Sequence, residues 1–308
     1  MVLLKRFLPY VCMLGEGRKD SIARRQGKTI EWRFMDSFPK ATTPLTEGTP
    51  PSDTAMTWTK VTATIAQYGA WTKMSDLLIH QGIDSVWTEA SEAFGENAGQ
   101  TIHTVLINIL AAGTNVRYAD AVANRASVAA ANVYDAAENR RARRILAGAK
   151  VHGYSDGFHA LIHPDVMESF VADGTVEKIA QYGSGGVSKR DGVDLLDGVV
   201  MRYGGFKYME STDAPIFAGA GSGGIDVYGT FHYGPDWFGE VDLAAKPLGT
   251  ANADTNKLSG VQVVGIPLEQ TDRADPLRQY GVIGWQTYYT SAILQQARGL
   301  RTESSAAA

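Results

Sequence analysis

GKTIEWRFMDSFPKATTPLTEGTPPSDTAMTWTKVTATIAQYGAWTKMS, residues 27–75, is two β-rich runs around a proline-rich centre. In the first run, 27–37, Ile30, Trp32 and Phe34 alternate with more polar neighbours until Met35 breaks the pattern, as expected of a strand with one apolar face. The second run, 55–75, is full of Thr, Val, Ile, Trp and Tyr, which fit a pleated surface. Between them, 38–54 holds four prolines and one glycine and can form little regular structure. The stretch predicts an extended hairpin with a long irregular tip. A hairpin of this kind is marginal alone in water and needs another surface to lie on.

Upstream, residues 1–27 form a mixed arm with a basic cluster of Arg18, Lys19, Arg24 and Arg25. Its start, MVLLKRFLPYVCMLGEG, mimics a secretion signal weakly. Pro9 interrupts the apolar stretch and no small-x-small site follows, so it reads as part of the mature protein.

Downstream comes the clearest helix, over 85–112. Ser85 is its expected cap, with Asp84 beside it. Trp87, Ala90, Phe94, Ala98, Ile102, Val105, Ile109 and Ala112 follow at spacings of three and four, which is one apolar stripe. Glu89, Glu92 and Glu96 crowd the first half, where the helix dipole favours acids. Gly113 stands where a C-cap glycine belongs. Gly95 and Gly99 lie inside the helix, read equally well as surface tolerance or as close approach of a neighbouring backbone. A second helix is expected over 132–147. It carries Arg140, Arg141, Arg143 and Arg144, read as a solvated face or as a contact to phosphate or another subunit. Strands are expected at 158–164, ending at a proline, at 199–212 as a hairpin turning on Gly204 and Gly205, and at 280–293 as a long aromatic strand.

Composition fits a globular chain of one large domain or two ordinary ones: 308 residues, 44% hydrophobic, 20% charged and a net charge of −4. A protein binding nucleic acid over its whole surface would be basic. One cysteine, Cys12, excludes an internal disulfide and a cysteine-cluster metal site. No apolar run reaches the length of a spanning helix, so a soluble intracellular chain is expected.

Chemical motifs fail one by one. Gly219, Gly221 and Gly224 satisfy G-x-G-x-x-G, but the alternating segment IDVYGTFHYG follows where the dinucleotide fingerprint needs a helix. His159 and His163 share a strand face without a third ligand. Asp272 and Asp275 fall in a turn before Pro276. Neither a nucleophile motif nor a paired acid and base stands out, so no catalytic, cofactor-binding or metal residue is assigned and the chain is not expected to be an enzyme.

The order of elements says more than any motif. Basic arm, long hairpin, long amphipathic helix, then a mixed region ending in long strands resembles the layout of tailed-phage major capsid proteins of the Hong Kong 97-like fold, an α+β class. GKTIEWRFMDSFPKATTPLTEG resembles the hairpin arm of the phage N-four type family. IHPDV at 162–166 and DPLRQYGVIGWQT at 275–287 resemble its later blocks.

The resemblance implies an N-terminal arm over 1–27 and an extended loop over 28–75. A peripheral domain with the spine helix would occupy 76–132, an axial domain 133–260, and 261–308 would return to the peripheral domain. It implies self-assembly into hexamers and pentamers of an icosahedral head around non-specifically held double-stranded DNA. Portal and scaffold or decoration proteins would be partners, with assembly in the host bacterial cytoplasm and no membrane. No acidic, cleavable segment precedes the arm, so maturation by proteolysis is not expected. Thr43, Pro44, Leu45, Thr46, Glu47 and Gly48 are the expected assembly tip, with Leu45 in a pocket of the next subunit and Glu47 on a basic side chain, one of the arginines at 140–144. Arg140, Arg141, Arg143 and Arg144 are expected to face another subunit or DNA. The alternatives are an encapsulin-like compartment shell on the same fold and a β-rich hydrolase using the histidines.

Overall fold

The computed structural model describes residues 12–22, 27–81, 86–173, 199–243, 262–266 and 279–306. The expected cap Ser85, the arginines at 24 and 25 and the turn at 272–276 lie outside them.

Two sheets and one long helix organise these residues. The first sheet is built on β13 (Tyr280–Ile293), the long aromatic strand. β4 (Ala66–Ser75) runs antiparallel along it from Tyr280↔Ser75 to Tyr289↔Ala66. On its other side β12 (Gln262–Ile266) and β11 (Phe238–Leu243) follow one another. β1 (Arg18–Ile22) adds to β11 in parallel. Helix α2 (Val86–Ala111) lies across this sheet, after the short α1 (Asp76–Gln81). Alternation on β13 buries Ile283, Trp285, Thr287 and Tyr289 on the helix side. The Trp285 indole N–H donates to Asn97 Oδ1 of the helix at 3.0 Å.

The buried face of α2 is Gly95, Ala98, Gly99, Ile102, His103, Leu106, Ile107 and Leu110. The expected stripe is thus rotated: Phe94, Val105 and Ile109 are half-buried at its edge, and Ala112 is exposed. Both interior glycines are buried, which favours close approach over surface tolerance. Gly113 keeps a negative φ and is not the left-handed cap expected. A Cβ there would sit 3.1 Å from Ile293 Cδ1, so packing explains it.

The second sheet runs β5 (Val116–Tyr118), β14 (Gly299–Ser304), β10 (Val227–Tyr233), β6 (Phe158–Ile162), β8 (Phe206–Glu210), β7 (Val199–Tyr203), with β9 (Ile216–Phe217) on β10. Gly204 and Gly205 make the β7–β8 turn with φ of 60° and 91°, as expected. Helices α3 (Ala136–Gly148) and α4 (Pro164–Val171) cover this sheet around Tyr134, Phe170, Phe206 and Tyr208. α3 begins later than expected because Asp135 caps it, accepting from Glu138 N. The expected strand at 158–164 stops at Ile162. His163 then caps a helix with Pro164 in its first turn, a use of proline that reads in sequence as a strand end.

The chain passes from the second sheet to the first between β10 and β11 and back between β13 and β14. The limits expected at 133–260 and 261–308 therefore do not coincide with sheet membership: β11 sits in the first sheet and β14 inside the second. β14 carries Arg301, Thr302, Glu303 and Ser304 and is buried throughout. Glu303 takes a two-pronged pair from Arg125 at 2.7 Å and a third bond from Arg301 Nε at 2.8 Å. This strand has no apolar alternation to announce it, and its own subunit pins it.

Candidate assembly surfaces

The expected hairpin divides at Ile65. β2 (Thr29–Met35) pairs antiparallel with β3 (Trp58–Thr64), and β4 leaves for the first sheet. The base of the hairpin finds its surface within the same subunit. Trp32 and Ala63 bury against Ile22, Val241 and Leu294. The Trp32 indole N–H donates to Asp20 Oδ2. A Cβ on Gly239 would stand 2.8 Å from the Trp32 ring, so the ring lies directly on backbone.

Beyond the base, every residue from 35 to 60 is exposed. Met35 and Trp58 face each other across the last rung at 48% and 61% exposure, Phe38 reaches 50% and Leu45 74%. Thr43, Pro44 and Leu45 lead into a tight turn in which Thr49 N donates to Thr46 O at 3.1 Å. Gly48 takes its third position with φ 77°, the conformation that favours glycine. All six expected tip residues therefore sit together at the end of the arm, uncovered by their own subunit.

The four arginines of α3 separate. Arg140, Arg143 and Arg144 line a depression of about 680 Å³ with Arg202, Tyr203 and Gly204 of the β7–β8 turn. Arg143 donates to Gly204 O at 3.1 Å. Arg141 instead pairs with Glu138, whose side chain is fully buried. Burial alone would raise the Glu138 carboxyl. Arg117 Nε at 2.8 Å, the Asp120 N–H at 2.9 Å and Arg141 outweigh it and hold the group below the usual carboxylate range. One of the four is thus structural.

The N-terminal segment is clamped by groups the sequence did not connect. Glu240 of β11 accepts from Gly15 N at 2.9 and 3.0 Å, and burial pushes its carboxyl up to about 7. His159 bonds Glu16 at 2.7 Å and Asp156 at 3.0 Å, and stacks on Tyr154. It and His163, the cap of α4, have separate duties. No cluster of three metal-ligating side chains occurs among the described residues. His103, fully buried in α2, meets Asp213 Oδ2 at 2.8 Å and Cys12 Sγ at 3.6 Å. Burial opposes its charge, but these two partners raise it to about 9. Residues 12, 103 and 213 carry no local motif. Only the fold brings them together.

A family model described as phage capsid protein matches residues 58–302. The chain belongs to the phage capsid protein family. No curated protein matches the sequence. Among solved structures, the cyanophage Pam1 capsid asymmetric unit covers 100% of this chain and 93% of its own, with 15% identity and a TM-score of 0.71. The capsid of Ralstonia phage GP4 covers 94% and 87%, with 10% identity and a TM-score of 0.68. The SrpI encapsulin complex of Synechococcus elongatus PCC 7942 covers 94% and 86%, with 9% identity and a TM-score of 0.57. The chain therefore has the Hong Kong 97-like fold, of the expected α+β class, and its family role is structural.

Proposed function

We propose that this phage capsid protein is the major head subunit of a tailed phage. It assembles through its own surfaces into hexamers and pentamers and closes an icosahedral shell around double-stranded DNA. The observation that carries the reading is the arm, which is anchored at Trp32 and uncovered from 35 to 60. A folded subunit gains nothing by displaying Phe38, Leu45, Met56 and Trp58 to water. In a closed symmetric assembly each such contact recurs at every subunit. The N-terminal arm is 1–27, and the hairpin arm over 28–64 is the projecting loop. The first sheet with α1 and α2 forms the peripheral domain, and the second sheet with α3 and α4 forms the axial domain. Arg140, Arg143 and Arg144 are exposed, as contacts to packaged DNA or to the next subunit require. Portal and scaffold or decoration proteins complete the head in the host cytoplasm.

The encapsulin reading shares the fold, but the family model favours the phage branch. Negative-stain microscopy of the purified protein tests the proposal: closed shells or capsomer rings are expected. A field of single 33 kDa particles at high concentration overturns it. Peptide-tagged enzyme inside shells isolated from native cells, in place of DNA, would favour the compartment.

A further inference from the structure

One face of α3 collects positive charge that the described residues do not compensate. Arg140, Arg143, Arg144 and Ala147 follow at helical spacing, so they share one side of the helix, and all four are exposed. Like charges at that spacing repel one another and weaken a helix. Yet no carboxylate of the described residues pairs with Arg140, Arg143 or Arg144. Arg141, between them, shows the alternative, since it turns to Glu138. The whole chain carries a net charge of −4, so the patch is not a by-product of a basic composition. The β7–β8 turn completes the lining. Arg202, Tyr203 and Gly204 border the hollow of about 680 Å³ together with the three arginines and Ala147. Arg143 is held in place there. It donates to Gly204 O at 3.1 Å, and a Cβ on Gly205 would stand 3.0 Å from its Cζ, so the guanidinium packs on bare backbone. Arg202 reaches Asp156 only at 3.7 Å, longer than a hydrogen bond. Four guanidinium groups from two elements thus border one hollow.

We propose that this hollow binds linked phosphate groups, of the kind carried by a nucleoside triphosphate or an inorganic polyphosphate, with the DNA backbone as the other source of the same phosphoryl oxygens. The inference narrows the duty of Arg140, Arg143 and Arg144 and adds Arg202 to them. It rests on the capsid reading only for the source of the phosphate. Guanidinium forks match phosphoryl oxygens in two-pronged pairs. Four such cations around one hollow suit a ligand with several negative charges at close spacing. A carboxylate brings one charge, whereas linked phosphates bring several. The volume falls within the ~300–1,000 Å³ of small-ligand sites. A concave surface of one sign also focuses its field on what enters it. A stiff duplex lays its phosphates along the rim of such a hollow, while a small polyphosphate can enter it. Bound phosphate would in turn relieve the repulsion among the arginines of α3.

Titration calorimetry of the purified full-length protein, with tripolyphosphate and with a short DNA duplex as probes, tests it. Saturable tripolyphosphate binding is expected, weakened about tenfold or more in R140A/R144A and in R202A. R33A, which removes an exposed arginine of the hairpin paired with Glu31, should leave it unchanged. Melting of R140A/R144A should match the native protein, since neither side chain bonds another described residue. Competition separates the sources, and both results support the site. Displacement of tripolyphosphate by the duplex at equal phosphate concentration, with the same loss in the variants, assigns the hollow to the DNA backbone. Tripolyphosphate retained against the duplex assigns it to a small linked phosphate. No saturable binding of either probe, or binding that R140A/R144A and R202A leave intact, overturns the site. Loss of shells in R140A/R144A with phosphate binding intact would give the face to a neighbouring subunit and overturn it equally. Whether the native protein forms shells bears on the capsid reading alone.

Discussion

At the residue scale, the buried charges are where stability is most sensitive. Glu138 holds β5, the turn at Asp120 and helix α3 together through Arg117, the Asp120 N–H and Arg141. E138A leaves Arg117, itself mostly buried, without its carboxylate. It should cost about 3 kcal/mol, measured as a shift of the urea midpoint. Glu240 gives a pH signature. Its folded pKa of about 7 lies above the 4.5 of a free glutamate. Between those values the native state holds a proton that the unfolded chain has lost, so its contribution to stability falls as pH rises from 4.5 to 7 and is flat above. The difference in stability between native protein and E240Q should therefore change across that window, by on the order of 3 kcal/mol. A parallel pair of pH profiles would show that the clamp on Gly15 does not titrate. Such residues were opaque in the sequence. Nothing local marks Glu138, Glu240 or Glu303 as buried: Arg141 and Arg301 are neighbours that a surface acid also has, while Arg117, Gly15 and Arg125 are remote. The exposure of Leu45 and Glu47, by contrast, was legible, since the prolines around them leave little regular structure to bury them.

At the element scale, the 3.6-residue period of α2 and the aromatic run of β13 were strong enough to place both elements in the sequence, and β13 to the residue. The face of α2 came out rotated because glycines and a histidine occupy its most buried line, and neither type signals burial in a pattern count. Leu106 lies on that line, fully buried, while Thr104 is exposed. L106D should block folding and leave insoluble protein, as an unpaired charge in the core costs several kcal/mol. T104D should shift the midpoint by less than about 0.5 kcal/mol. Similar solubility of the two would mean the helix is seated on another face. β14 was unreadable for the opposite reason: its burial is bought by ion pairs and ladder bonds, so hydrophobicity never flags it. Helix α4 was hidden by Pro164, which ends a strand in most contexts and opens a helix here.

At the scale of the whole molecule, order of elements carried more than any motif. The chain crosses between the two sheets three times, through α2 from β4 to β5, between β10 and β11 and between β13 and β14, so the sheets are tied by three crossings and not by one linker. That topology was beyond reach of the sequence, since pairing partners lie up to more than two hundred residues apart, as with β4 and β13. The arm is the exception. It is anchored by Trp32 on Gly239 and free beyond Met35, which separates folding from assembly along one hairpin. Replacing residues 41–49 with a short Gly-Ser linker and following shell formation by sedimentation tests this most directly. The account predicts an unassembled subunit with unchanged circular dichroism and melting, and a sharp loss of shells. Shells of normal yield and stability from the shortened chain would contradict it.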